Sequence, residues 1–151
     1  MFFMKICLAC SSGGHLLQIM QLQKIYSKYD HFFLTFKRDM TENLAKKEKV
    51  YFVKDPKRNL LILILNFFQT FLILIKERPK IIISTGAGVA IFTCFLAKLF
   101  GCKVIFLESF SRVNQPSITG KLVYFISDLF IVQWKYLLKF YSKAIYGGSI
   151  F

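Results

Sequence analysis

The chain has 151 residues, 55% of them hydrophobic and 17% aromatic with 18 Phe, against only 19% charged; this excludes a disordered segment and fits one domain around a single core. The apolar supply exceeds what one small core hides, so part of it is expected to meet a membrane or a partner. A formal charge of +13 calls for an anionic neighbour, and of nucleic acid and anionic lipid head groups a chain this greasy favours the lipid surface; no nucleic acid is expected among its partners.

The chain is organised around Met4 to Leu17, read as a buried strand over Lys5 to Ala9, a turn of small residues over Cys10 to Gly14, and a helix start that carries His15. A strand passing into a helix through Ser11-Ser12-Gly13-Gly14 presents backbone N–H groups at the positive end of a helix dipole, a common way to hold a phosphate. The plainer alternative is that Gly13 and Gly14 only tighten a βα turn. Met1 to Ala9 is short, holds one Lys and runs straight into the turn, so no secretory signal is expected and the protein is placed on the cytosolic side. Cys7, Cys10, Cys94 and Cys102 fit reduced thiols there, with Cys7 and Cys10 read as core packing rather than a redox or zinc pair.

Leu16 to Tyr26 has helical apolar spacing, His31 to Phe36 reads as a second strand, Asp39 to Lys47 as an exposed helix and Val50 to Val53 as a third strand. His31, at a strand entrance, reads as a surface residue. Leu60 to Ile75 is the longest apolar run, flanked by Lys54, Lys57 and Arg58 before and by Lys76, Arg78 and Lys80 after. Asn59, Asn66, Thr70 and Glu77 fall on one helical stripe and leave most of the circumference apolar. The run is shorter than the roughly 20 residues of a spanning helix. It is expected to lie in a membrane interface near residues 59–77 with its basic flanks on the head groups, the alternatives being a wholly buried crossover helix or a true span.

Lys80 to Ile83 makes a fourth strand, opening onto Ser84-Thr85-Gly86-Ala87-Gly88 and an apolar helix over Val89 to Leu99. Lys103 to Leu107 is a fifth strand with Glu108 at its exit, followed by a helix over about Ser117 to Ile126, a strand over Leu129 to Val132 and a last segment around Ala144 to Tyr146. Alternating strands and helices at this spacing predict an α/β fold with a parallel sheet. The two small-residue loops would then face one crevice at the strands' carboxyl ends.

That crevice collects the candidate site. Ser11, Ser12, Gly13, Gly14, Thr85, Gly86 and Gly88 are the candidate diphosphate-binding residues. His15 and Glu108 are the titratable groups able to take a proton from an attacking hydroxyl, with Ser109 and Arg112 in support. The arrangement suits group transfer next to a diphosphate. The chain lacks G-x-x-x-x-G-K-[ST] and the full G-x-G-x-x-G fingerprint, and no residue spacing suggests a metal site, so neither cofactor nor metal is expected. The incomplete fingerprint also argues against a nucleotide-dependent oxidoreductase.

Six stretches together resemble a known family along nearly the whole chain: Ser11 to Leu16, Ser84 to Gly88, Glu108 to Val113, Ser117 to Leu122, Asp128 with Phe130 to Trp134, and Tyr146 to Phe151. The order from Glu108 to Trp134 is the specific part. The chain is similar to the acceptor-side, membrane-anchoring subunit of two-part glycosyltransferases, namely the asparagine-linked glycosylation subunit of eukaryotic UDP-N-acetylglucosamine transferase and the bacterial PssD and CpsF type of capsule and exopolysaccharide proteins. The resemblance implies a Rossmann-like domain over 1–151 equivalent to the amino-terminal half of a GT-B enzyme such as MurG. It also implies a polyprenyl-diphosphate-linked sugar acceptor and a partner of the PssE or CpsG type that holds the UDP-sugar. Gly13, Gly14, Gly86 and Gly88 would cradle the diphosphate; His15 would be the base of an inverting transfer, with Glu108 the second candidate, as base or as a holder of the acceptor sugar. No donor-binding half is expected after Phe151, and the obvious amino-terminal anchor of eukaryotic members is absent, which leaves the basic, apolar helix as the expected peripheral attachment to the cytoplasmic face. The rival reading is a non-catalytic anchor for an enzyme residing wholly in the partner.

Overall fold

The computed structural model describes residues 4–151; the part of the signal-sequence expectation that concerns residues 1–3 lies outside the described residues. Seven strands form one parallel sheet: β1 (Lys5–Cys10), β2 (Asp30–Phe36), β3 (Val50–Val53), β4 (Ile81–Gly86), β5 (Lys103–Leu107), β6 (Leu129–Val132) and β7 (Ile145–Tyr146). Their order is β3-β2-β1-β4-β5-β6-β7. The chain therefore winds outward from β1 in one direction, crosses back, and continues from β4 in the other, which leaves a crevice at the carboxyl ends of β1 and β4.

Both faces of the sheet are covered, so its strands are apolar on successive residues rather than alternately. On β1, Ile6, Leu8 and Cys10 pack with Leu16 and Ile19 of α1 (Gly14–Gln21). Cys7 and Ala9 point the other way, into the core shared with Leu74 of α4 (Leu60–Glu77) and Val89, Ala90 and Cys94 of α5 (Gly88–Leu99). Cys7 and Cys10 thus lie on opposite faces of the sheet, and all four cysteines are buried and free. Burial pushes the Cys10 thiol up to about 12 and raises Cys7 as well, which suppresses thiolate chemistry.

Shorter elements complete the layers: α2 (Gln23–Tyr26), α3 (Asp39–Leu44), α6 (Ile118–Tyr124) and a 3-10 helix over Lys135–Lys139. The helix expected over Leu16 to Tyr26 is interrupted at Leu22, and the one expected over Asp39 to Lys47 stops at Leu44. The fourth strand extends to Gly86 rather than ending at Ile83, because Ser84 and Thr85 bury their hydroxyls on backbone carbonyls of neighbouring elements. The 3-10 turn has no counterpart in the sequence reading.

The crossover helix α4 is not wholly buried. Asn59 caps it by accepting from Leu61 N and Ile62 N. Its polar stripe faces inward: Asn66, Thr70 and Glu77 are buried, and Asn66 Nδ2 donates to the Lys54 carbonyl at 2.7 Å. Burial opposes the charge on Glu77, but hydrogen bonds from Lys49, Tyr51 and Lys5 outweigh it and hold the carboxyl at about 2. The apolar stripe faces outward, with Leu61 77%, Phe68 55% and Leu72 64% exposed.

Candidate functional site

The switch point between β1 and β4 is built by a bulge. Ala9 pairs with Ser84 and Cys10 with Gly86, so Thr85 is an extra residue in the ladder. Released from pairing, Thr85 turns to α1 and grips His15 twice. Its hydroxyl donates to the His15 carbonyl at 2.8 Å, and its own carbonyl lies 2.7 Å from His15 Nδ1. A carbonyl only accepts, so Nδ1 carries the proton and Nε2 keeps a basic lone pair. Burial lowers the His15 pKa from 6.5; the bond to Thr85 and the charge of Glu108 oppose this, and Arg112 adds to it. His15 is thus a neutral imidazole at neutral pH with a fixed tautomer.

Gly86 is required beside that ring. Its φ is +106, and a Cβ there would stand 3.3 Å from His15 Cε1. Ala87, next in the chain, also has positive φ, at 34, so the backbone is strained at the site.

Glu108 leaves the end of β5 and turns away from solvent. Its carboxylate is fully buried and accepts from Ser109 N at 2.9 Å, Ser117 N at 3.2 Å and the Tyr141 hydroxyl at 2.8 Å. The Ser117 side chain meanwhile accepts from Gly120 N at 2.8 Å and caps α6. In a capping box, the residue three places after the cap sends a carboxylate back to the cap's own N–H. Here that residue is Gly120, and Glu108 supplies the carboxylate from just past the end of β5. A Cβ on Gly120 would fall 2.1 Å from Glu108 Oε2, so only glycine leaves room. Burial and Glu108 drive the Tyr141 hydroxyl pKa well upward, which keeps it a proton donor.

Between these walls lies a crevice of about 170 Å³ lined by His15, Gly86, Ala87, Ser109, Arg112 and the start of α6. A larger hollow, of about 370 Å³, sits at the opposite pole between the end of α4 and Cys102. The smaller crevice is the candidate site, because it lies at the carboxyl ends of the strands and combines a basic nitrogen, a guanidinium and hydroxyls.

Of the residues singled out from the sequence, His15, Gly86, Ser109 and Arg112 meet in this crevice. Ser11, Ser12, Gly13 and Gly14 form the turn that leads into His15 and do not line it; Ser11 N donates to the Gly86 carbonyl at 3.3 Å. Gly13 has φ +84 and precedes α1, and a Cβ on Gly13 or Gly14 would touch nothing, so space beside them is open. Gly86 N is already bonded to Ser84 Oγ, whereas Gly88 opens α5 with an exposed backbone. Thr85 and Glu108 lie behind the wall as supports.

A buried amide network under the site leaves no periodic signal in the sequence, although one member, Gln133, falls inside the Phe130 to Trp134 stretch. Gln18 Oε1 accepts from Phe110 N at 2.9 Å and from Gln133 Nε2 at 2.7 Å, and Gln133 Oε1 accepts from Ile150 N at 3.0 Å. It ties α1 to the loop after β5 and to the end of the chain. Tyr141 was equally silent. Only helical spacing four residues after Gly14 hinted that Gln18 would face inward.

The family model described as "Oligosaccharide biosynthesis protein Alg14 like" matches residues 57–150. The UDP-N-acetylglucosamine transferase subunit ALG14 of Candida albicans is 40% identical over 93 residues, covering 58% of this chain and 42% of that protein. The Homo sapiens subunit of the same name is 31% identical over 91 residues, covering 56% and 42%. The matched stretch therefore spans less than half of either relative. Among solved structures, Acinetobacter baumannii MurG has a TM-score of 0.71 at 13% identity over 85% of this chain and 41% of its own. UDP-N-acetylglucosamine 2-epimerase from Rickettsia bellii reaches 0.76 at 16% identity over 98% and 45%. The likeness is one of fold: a Rossmann-like parallel sheet equivalent to the amino-terminal half of a GT-B protein.

Proposed function

The chain belongs to the Alg14-like family of oligosaccharide biosynthesis proteins, and on that premise we propose that it is the acceptor-side subunit of a two-part inverting glycosyltransferase. It holds a polyprenyl-diphosphate-linked sugar at the cytoplasmic face of a membrane, while a separate subunit binds the UDP-sugar. The observation that carries this reading is the His15 imidazole, locked by Thr85 with Nε2 unprotonated in a crevice that also holds Arg112.

In the proposed reaction the acceptor hydroxyl forms a bond to C1 of the donor sugar as the bond from C1 to UDP breaks. The hydroxyl proton passes to His15 Nε2, and UDP leaves with the bonding pair. Such a base contributes roughly 10²- to 10⁴-fold. Arg112 inside the crevice offsets the diphosphate charge, and the N-termini of α1 and α5 at Gly14 and Gly88, which flank the crevice without lining it, add their dipoles. Glu108 acts as a positioning residue, holding the first turn of α6 against the crevice. The outward apolar stripe of α4, with Lys54, Lys57 and Arg58 before it, supports peripheral attachment to anionic lipid.

That stripe also favours a second reading, in which the chain is an anchor and all chemistry resides in the partner. The two are separated by reconstituting the pair on vesicles with His15→Ala and His15→Gln. A catalytic His15 predicts unchanged recruitment of the partner and turnover lowered about 10²- to 10⁴-fold; near-normal turnover overturns the catalytic role and leaves the anchor.

A further inference from the structure

We propose that the outward side of α6 carries the hydrocarbon chain of the lipid diphosphate, an inference that rests on the crevice holding that head group. Ile118, Leu122 and Phe125 are 78%, 46% and 85% exposed. Their spacing of four and then three residues stacks them along one side of the helix and its last turn. The opposite side of α6 is fixed: Val123 is buried in the core, and Gly120 sits against Glu108 and Tyr141. The stripe is therefore held outward by the same carboxylate that caps the helix.

Ile118 belongs to both surfaces. It lines the crevice beside Ser117 and Thr119, and it begins the apolar stripe that leads away from it. Beyond α6 lies α5, with Leu99 81% and Phe95 41% exposed, and beyond α5 lies the apolar side of α4. The track thus joins a polar, cationic crevice to the outward apolar stripe of α4. A simple anion has no use for such a stripe, and bilayer contact alone has no need for it to start inside the crevice. An amphiphile with an anionic head and an isoprenoid tail uses both. Branched, methyl-bearing isoprene units match a row of Ile, Leu and Phe side chains better than they match water, and each unit laid on the row removes apolar area from solvent.

The test is calorimetric titration of the full chain with inorganic pyrophosphate and with dimethylallyl, geranyl and farnesyl diphosphate, each below its critical micelle concentration. On an open track that covers one side of the chain, affinity is expected to rise about tenfold per isoprene unit. Leu122→Ser combined with Phe125→Ser, both at exposed positions outside the crevice lining, is expected to bring farnesyl diphosphate close to pyrophosphate and leave pyrophosphate itself unchanged. Length-independent binding with pyrophosphate still bound overturns the track and spares the crevice reading. Absence of binding for pyrophosphate and all three lipids overturns the crevice reading, and the track with it. Length dependence that survives the α6 pair but vanishes in Leu61→Ser with Phe68→Ser places the tail on α4 and overturns the assignment to α6.

Discussion

Gly120→Ala is the sharpest probe of how the crevice wall is built. By intrinsic propensity alone, alanine in place of a helical glycine stabilises by about 1 kcal/mol. The structure demands the reverse. The new methyl would stand 2.1 Å from Glu108 Oε2, 2.7 Å from the Tyr141 hydroxyl and 2.8 Å from Ser117 Oγ. The carboxylate has to leave, and with it go the bonds from Ser117 N and Tyr141. Two hydrogen bonds to a buried charged acceptor are worth roughly 1.5–3 kcal/mol each. Subtracting the propensity gain leaves a net loss of about 2–5 kcal/mol, read as a lower urea midpoint at unchanged slope. Tyr141→Phe alone should cost less, and in that background Gly120→Ala should cost less than in the parent, because the two changes remove a shared bond. A Gly120→Ala variant as stable as the parent, or more so, would refute the claim that Glu108 closes the α6 cap.

Three other outcomes are expected. In the reconstituted pair, kcat/KM should show an acid limb with its midpoint below 6.5, because burial lowers the His15 pKa and activity is lost as pH falls through it; His15→Gln should abolish that limb. Glu77 ionises at about 2 in the folded chain against 4.5 ordinarily, so its stabilisation is present above pH 4.5 and is lost as pH falls toward 2. Urea midpoints should accordingly drop over that window, and Glu77→Gln should remove up to about 3 kcal/mol at pH 7 while flattening the profile, the share of Asp128, which is also held at about 2, remaining. Phe68→Ser with Leu72→Ser should weaken sedimentation with anionic vesicles about tenfold or more, since each side chain gives up part of the roughly 1.5–3 kcal/mol that full burial of such a group supplies, and without lowering the urea midpoint.

The elements most legible in the sequence were those whose limits are set locally. The strands at Val50–Val53, Lys103–Leu107 and Leu129–Val132 have the expected bounds, because each is an apolar run closed by polar or charged residues. The fourth strand runs past Ile83 for a tertiary reason: Ser84 and Thr85 look like loop residues until Ala9 and His15 offer carbonyls to their hydroxyls. The same limit applied to the site. Small residues marked both loops, and His15 stood out beside them. Which way Glu108 turns depends on Tyr141, 33 residues later, and the Gln18–Gln133 bond joins positions 115 apart. Neither pairing leaves a periodic trace.

The fold grips α4 by its polar edge, through Asn66 and Glu77, and leaves its greasy edge outside. The sheet therefore takes little of its cohesion from Leu61, Ile64, Phe68, Leu72 or Ile75. Rewriting those five positions with glutamate and lysine should yield a water-compatible version of the protein with its architecture intact, so that handling in detergent-free buffer and affinity for bilayers become independently adjustable properties.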